Sequence, residues 1–173
     1  MNANDFAVMR AKIEFLQNHM MLPRYDGEAR QKIISTLVRE CLDRGISITG
    51  GETSIHENSQ SLELSISIQG KYIEKKENKF EIGDYLVGVQ SSGVMSNALT
   101  KVREIYGEEF RKEFVEPTFI YYDTVLRLLR EREKIKISGM EHITGGAFTR
   151  LKKLIGRDSD VSIEQNSYLE PQP

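Results

Sequence analysis

The chain has 173 residues, of which 39% are hydrophobic and 29% are charged, and its formal net charge is −2. This composition is typical of one ordinary globular domain or two small ones. It argues against nucleic-acid and membrane partners, because there is no basic excess and no apolar run of bilayer length. The single cysteine, Cys41, excludes an intramolecular disulfide and suits a cytoplasmic location.

The first quarter of the chain predicts one clear helix. Residues 6–22 are apolar with scattered polar breaks, a pattern that leaves helix and strand equally open. Asp26 is a suitable N-cap, an apolar stripe follows at helical spacing, and Gly45 stands where a left-handed C-terminal cap belongs. We therefore predict a helix over residues 27–44.

Several segments have the character of strands. Residues 46–49 predict a short strand that runs into a turn at Gly50 and Gly51. Residues 62–68 alternate apolar and polar side chains, which indicates a strand with one buried face. Residues 85–89 are almost continuously apolar and predict a central strand, and residues 161–163 suggest a last one.

The second half of the chain adds helices between these strands. We predict a helix over about 96–106 capped by Ser96, another over about 119–132, and a short one that ends near residue 155. Strands and helices do not alternate regularly, so the predicted fold class is α+β.

Three turns rich in glycine and hydroxyl residues follow predicted strands, at residues 49–53, 91–93 and 144–146. Glycines let backbone amides approach a ligand closely, and amides with Ser or Thr hydroxyls suit phosphate oxygens. Any one of these turns is also explained as a tight strand exit. Three of them in one short chain favour an α+β domain that binds phosphate.

The same turns carry a family resemblance. The chain is similar to the aminoimidazole ribonucleotide (AIR) synthetase family in four motifs of matching order, with weaker agreement at the Asn4-Asp5 pair and at residues 83–88. The four motifs are GGET at residues 50–53, SSGVMSNA at 91–98, EPTFIY at 116–121 and GMEHITGG at 139–146.

The resemblance implies an enzyme of purine biosynthesis. Family members use ATP and Mg²⁺ to cyclise formylglycinamidine ribonucleotide to aminoimidazole ribonucleotide. They have two α+β domains and form homodimers through the N-terminal one. Residues 1–70 would be the end of the N-terminal ATP-binding domain, and residues 71–173 most of the first half of the C-terminal domain. The family's glycine-rich N-terminal loop has no counterpart here, so we expect the nucleotide site to need residues outside this sequence.

The resemblance also assigns roles to particular side chains. Asn97 and His142 would act in catalysis, and Asp5 and Glu52 would hold Mg²⁺, which prefers oxygen ligands. Ordinary roles as capping, packed or surface residues stay open for each of these four side chains. The remaining assignments are ligand and phosphate contacts at Gly50, Gly51, Glu52, Thr53, Ser92, Gly93, Thr144, Gly145 and Gly146.

The chain departs from the family pattern at Met95, where the family has histidine, and at Ala98 and Arg10, where it has glycine. Methionine has no titratable proton, which favours the alternative of a catalytically degenerate relative that binds a nucleotide or phosphate-bearing ligand. Another alternative is a different member of the superfamily: selenophosphate synthetase, thiamine monophosphate kinase, a hydrogenase maturation factor or formylglycinamidine synthetase. The EPT and HITGG segments favour the AIR enzyme over these.

Overall fold

The computed structural model describes residues 1–95, 97–109, 111–156 and 159–164. These residues pack into two units: a sheet unit of Asn2 and residues 10–75, and a helical unit of residues 1, 3–9 and 76 onward. None of the described helices is long and apolar enough to span a bilayer. The elements are α1 (Asn2–Val8), β1 (Ala11–Leu22), α2 (Gly27–Asp43), β2 (Ser47–Ile55), β3 (Glu63–Tyr72), α3 (Leu99–Tyr106), α4 (Tyr122–Arg130) and the 3₁₀ helices Lys112–Val115 and Ala147–Lys153.

The ambiguous segment at residues 6–22 divides at Arg10, which separates helix α1 from strand β1. Arg10 adopts a left-handed conformation with φ of 59°, so the helix cannot continue through it. The apolar pattern of this segment did not distinguish helix from strand because the segment contains the end of a helix and a whole strand.

Strand β1 lies at the centre of a three-stranded sheet of order β2-β1-β3, parallel to β2 and antiparallel to β3. Its side chains Leu16, Met20 and Leu22 are buried on one face. Cross-strand neighbours flank them, since Leu16 pairs with Ile48 on β2 and with Ile68 on β3. The core of the sheet unit therefore lies along one face of β1.

Helix α2 confirms the prediction for residues 27–44 at both ends. The Asp26 carboxylate accepts a hydrogen bond from the backbone N–H of Ala29 at 2.9 Å, as an N-cap does. Gly45 has φ of +64°, which is the left-handed conformation that glycine adopts after a helix. The amide of Ile46 then bonds the carbonyl of Cys41, which closes the helix end.

The predicted turn at Gly50 and Gly51 is wrong, because both glycines lie inside strand β2. They pair with Gln17 and Asn18 in the parallel ladder with β1, and neither has positive φ. A Cβ on Gly51 would lie 2.7 Å from Oδ1 of Asn18. Close approach of two strands, rather than a turn, explains this glycine.

Strand β3 confirms the strand predicted from residues 62–68, but the predicted buried face is wrong, because no residue of β3 is buried and Leu64 is 41% exposed. The strands predicted at residues 85–89 and 161–163 do not form. Tyr85 and Val87 are 94% and 86% exposed. A strand needs a partner ladder for its backbone groups, and no described segment offers one to residues 85–89.

The helices of the helical unit are shorter than predicted. Helix α3 begins at Leu99, and the expected cap Ser96 lies outside the described residues. Helix α4 begins at Tyr122, inside the predicted range, and buries Tyr122, Leu126 and Leu129 against the core of this unit. Residues 119–121 are not helical, because their backbone is bound elsewhere, as described next.

Candidate functional site

The 91–98 and 116–121 motifs lie against each other in the helical unit. The Ser92 hydroxyl donates to the carbonyl of Pro117 at 2.8 Å. The Thr118 hydroxyl donates to the carbonyl of Met95, more weakly at 3.5 Å. Each motif thus uses a hydroxyl side chain to bind a backbone carbonyl of the other motif.

Helix α1 holds the other side of the 116–121 segment through Asn4. Its amide nitrogen donates to the carbonyl of Phe119 at 2.8 Å, and its amide oxygen accepts from the N–H of Tyr121 at 2.8 Å. Asn4 is only 3% exposed, so both bonds are shielded from water. These two bonds fix the backbone of residues 119–121 against α1, immediately ahead of α4.

The next residue of α1, Asp5, contacts the last motif. Its Oδ1 lies 2.7 Å from Nδ1 of His142. The His142 side chain is 10% exposed and that of Asp5 is 56% exposed. Because a carboxylate only accepts hydrogen bonds, Nδ1 carries the proton, and in the neutral imidazole Nε2 is left as an acceptor.

The segment around His142 is braced by a further ion pair. Nε of Arg150 lies 2.5 Å from Oε1 of Glu141, and both side chains are largely buried. The Thr149 hydroxyl donates to the carbonyl of Gly146, whose φ of +91° confirms a turn there. Gly145 next to it is exposed, with nothing near its missing Cβ.

Asn97 is bound within its own turn, since its amide nitrogen donates to the carbonyl of Met95 at 3.1 Å. Gly93 in the same motif has φ of +113°. The predicted contact residues Ser92, Gly93, Thr144, Gly145 and Gly146 and the predicted catalytic residues Asn97 and His142 therefore all lie in the helical unit.

The remaining predicted site residues lie in the sheet unit. Gly51, Glu52 and Thr53 line a cavity of about 230 Å³ together with Asn18 and apolar side chains of α2 and β2. Oε1 of Glu52 accepts a hydrogen bond from the Thr53 amide at 3.0 Å. This lining is mainly apolar with one carboxylate, which is a poor environment for phosphate.

The non-glycine residues with positive φ in the described chain are Arg10, Met95 and Ala98. These are the same positions at which the chain departs from the family motifs. At two of them the family glycine would adopt the left-handed conformation without strain. Met95 is also 8% exposed, so it is a packed side chain rather than one offered to a ligand.

We expect Ala98→Gly to raise the free energy of unfolding by about 1 kcal/mol, because alanine in the left-handed region costs that much relative to glycine. Ala98 precedes α3 with φ of 53°. Urea denaturation measures the change. The control Ala29→Gly, inside α2, should lower stability by about 0.5–1 kcal/mol. If both variants changed the free energy of unfolding in the same direction, the assignment of backbone strain to Ala98 would be contradicted.

The hydroxyl of Tyr121 is buried, and it has no hydrogen-bond partner among the described residues. Burial raises the pKa of this tyrosine above its usual value. We expect Tyr121→Phe to stabilise the chain by about 1 kcal/mol, since an unsatisfied polar group is removed. Thermal denaturation tests this, with Tyr85→Phe as control because Tyr85 is 94% exposed and its variant should be neutral. Destabilisation by Tyr121→Phe would show that the hydroxyl has a partner.

A family model described as "AIR synthase related protein, C-terminal domain" matches residues 81–171, which is more than half of the chain. The chain belongs to the AIR synthase related family. The match includes three of the four motifs, and the α+β class predicted from the sequence is confirmed by it.

Curated relatives of the AIR synthase related family agree with this assignment. A phosphoribosylformylglycinamidine cyclo-ligase of Saccharolobus solfataricus is 32% identical in an alignment of 163 positions that covers 89% of this chain and 49% of that protein. A cyclo-ligase of Clostridium tetani is 33% identical in an alignment of 187 positions that covers 99% of this chain and 55% of that protein. The chain spans about half the length of the curated relatives it matches.

Solved structures show the AIR synthase-like fold more widely. E. coli HypE, a hydrogenase maturation protein, has a TM-score of 0.59 at 15% identity and covers 88% of this chain and 48% of its own. A chain of the HypE–HypF complex has a TM-score of 0.53 at 21% identity over 78% of this chain and 46% of its own. These likenesses concern the fold alone.

The AIR synthase resemblance implies Mg²⁺, which binds oxygen ligands such as carboxylates. No three His, Cys, Asp or Glu side chains come together in the described ranges to hold a metal ion. Mg²⁺ is commonly bound by one or two carboxylates with substrate phosphates and waters. Asp5 fits that arrangement, because one oxygen binds His142 while the side chain stays 56% exposed.

Sequence reasoning missed Asn4 as a residue of this candidate site. The Asn4-Asp5 pair resembles a family segment, but only Asp5 was assigned a role in it. The place of Asn4 in that same pair is the signal that could have identified it. In the structure Asn4 is a buried residue of α1, not a surface residue.

Proposed function

We propose that this chain forms part of an ATP-dependent cyclo-ligase site that closes the imidazole ring of aminoimidazole ribonucleotide from formylglycinamidine ribonucleotide. The observation that carries the proposal is the Asp5–His142 pair, in which residues of two separate motifs meet at 2.7 Å. The cyclo-ligase names of the curated relatives support it.

His142 is the proposed base. ATP transfers its γ-phosphoryl group to the formyl oxygen of the substrate, and ADP leaves. The amidine nitrogen that carries the ribose then attacks the activated formyl carbon, the carbon–oxygen bond to the phosphorylated oxygen breaks, and phosphate leaves. The attacking nitrogen loses a proton to Nε2 of His142, while Asp5 holds the ring at Nδ1 and stabilises the imidazolium.

Backbone amides of the two glycine turns, at residues 92–93 and 144–146, are proposed to bind phosphate oxygens together with the Thr144 hydroxyl. Asp5 would hold Mg²⁺, whose charge offsets that of the ATP phosphates when it is bound. Glu52 is proposed as a further carboxylate of the sheet unit, with Gly50, Gly51 and Thr53 beside it. A homodimer, a cytoplasmic location and the division into family domains at residues 1–70 and 71–173 belong to the same proposal.

Ligand-dependent stabilisation tests the proposal. Formylglycinamidine ribonucleotide and Mg-ATP should each raise the free energy of unfolding, by about 2.7 kcal/mol at a hundredfold excess over Kd. In a protein that also supplies the remaining half of the relatives' length, product formation should fall about 10²- to 10⁴-fold in His142→Asn, as the loss of a general base does. His56→Asn is the matched control, because His56 is exposed. Absence of any stabilisation at millimolar concentrations of both ligands would contradict the proposal.

A binding protein without turnover is the second candidate, and Met95 favours it. The family histidine at this position is replaced by a side chain that cannot transfer protons and is 8% exposed. This candidate predicts that the ligands stabilise the chain and that no ADP is released. In His142→Asn the ligands should still stabilise the chain, with a modest loss of affinity. ADP release that depends on His142 would exclude it.

A further inference from the structure

We infer that Asn4 is a positioning residue that sets the spacing between the two halves of the candidate site. The effect of Asn4 on ligand affinity rests on the proposed function. Its effect on the positions of the 116–121 segment and His142 does not. Asn4 and Asp5 are consecutive residues of α1 whose side chains bind different segments, at residues 119–121 and at His142. One helical turn thus ties both segments together.

The carboxamide of Asn4 binds both a donor and an acceptor of one short backbone segment. Phe119 offers a carbonyl and Tyr121 an N–H, two residues apart, and both distances are 2.8 Å. Among small side chains, the neutral carboxamide provides a fixed donor and a fixed acceptor side by side. At 3% exposure, loss of either bond leaves a backbone group without its partner.

The other side of the same segment is fixed as well. Pro117 is bound by the Ser92 hydroxyl, and Thr118 binds the carbonyl of Met95. Residues 116–121 therefore lie between the 91–98 motif and α1. Asp5 of the same helix binds His142. A chain of contacts therefore links His142 to the turn at Ser92 by way of α1, Asn4 and this segment.

Without Asn4, α1 and the 116–121 segment would lose their common anchor. His142 would keep its bond to Asp5 but would no longer be held at a fixed distance from the glycine turn of the 91–98 motif. A ligand that bridges the turn and the imidazole would then have to order the site as it binds. We expect its affinity to fall about tenfold, as 1.4 kcal/mol of lost preorganisation gives.

Three measurements on Asn4→Ala test the inference in the full chain. Amide hydrogen exchange of Tyr121 should become faster, because its acceptor is gone. The Nε2 and ring-carbon shifts of His142 should change although its Nδ1 bond to Asp5 is intact, because the ring is no longer fixed relative to the 91–98 motif. The Kd for formylglycinamidine ribonucleotide should rise about tenfold. If Asn4→Ala does not fold, the same three measurements are made on Asn4→Ser, which is a milder change.

Asn2→Ala is the matched control. Asn2 lies in the same helix but donates to the carbonyl of Ile66, so its variant should leave the Tyr121 and His142 signals unchanged. Faster exchange at Tyr121 with an unchanged His142 spectrum would overturn the inference, since Asn4 would then act on its own segment only. If unmodified protein binds no ribonucleotide, the proposed function fails, while the exchange and His142 measurements still decide the role of Asn4.

Discussion

Replacing Gly70 by alanine should lower the free energy of unfolding by about 3 kcal/mol, because overpacking against backbone cannot be relieved by a side-chain rotation. Gly70 lies in β3 opposite Ile13 of the central strand. A Cβ on Gly70 would stand 1.9 Å from the carbonyl oxygen of Lys12. The ladder is irregular at this point, where the register shifts between Ile13 and Phe15. Strand β3 would have to move away from β1 to admit the methyl group.

Urea denaturation followed by circular dichroism measures this loss, and Gly50→Ala is the matched control. Gly50 lies in the neighbouring strand β2, where the closest atom to an added Cβ is Nε2 of Gln17 at 3.7 Å. That is ordinary van der Waals contact with a flexible side chain, so we expect a change within about 0.5 kcal/mol. A similar loss in both variants would show that any alanine weakens the sheet, and the close approach at Gly70 would not be its cause.

The elements that sequence predicted well are those whose signals are local. Helix α2 has its N-cap, stripe and terminal glycine within the residues that form it, and the structure matches the prediction to within a residue. Strand β3 is similar, because alternation is a property of one segment. Residues 85–89 show the opposite case: their apolar pattern is strand-like, yet a strand forms only where another chain segment supplies the ladder.

The candidate site was predictable in its parts and not in its arrangement. His142 and Asp5 are both chemically suitable groups, but 137 positions separate them, and no local pattern shows that they meet. Asn4 was overlooked for the same reason, since its partners are 115 and 117 positions away. The glycines at residues 50–51 show that composition also misleads, because close strand packing and a ligand turn demand the same residue.

Arg10 shows how a departure from the family pattern is accommodated. An arginine with φ of 59° is strained relative to glycine, by about 1–2 kcal/mol. It is nevertheless the largest of the fully buried side chains, at 1% exposure. Its Nη1 lies 2.8 Å from Oε2 of Glu74, and its carbonyl accepts the amides of Ile73 and Glu74. The chain after β3 is thus fixed to the start of β1 by the residue that replaces glycine.

We therefore expect Glu74→Gln to lower the free energy of unfolding by about 2 kcal/mol, since a buried guanidinium loses its charged partner. The estimate lies below the usual loss for a fully buried pair because Glu74 is 30% exposed. Glu14→Gln is a matched control: Glu14 is 32% exposed, but its partner Lys71 is 70% exposed, so the expected loss is about 0.5 kcal/mol. Both variants remove one carboxylate of equal exposure. The pairs differ chiefly in the cation, a buried arginine against an exposed lysine, so equal losses in urea denaturation would mean that the burial of Arg10 adds nothing to its pairing with Glu74.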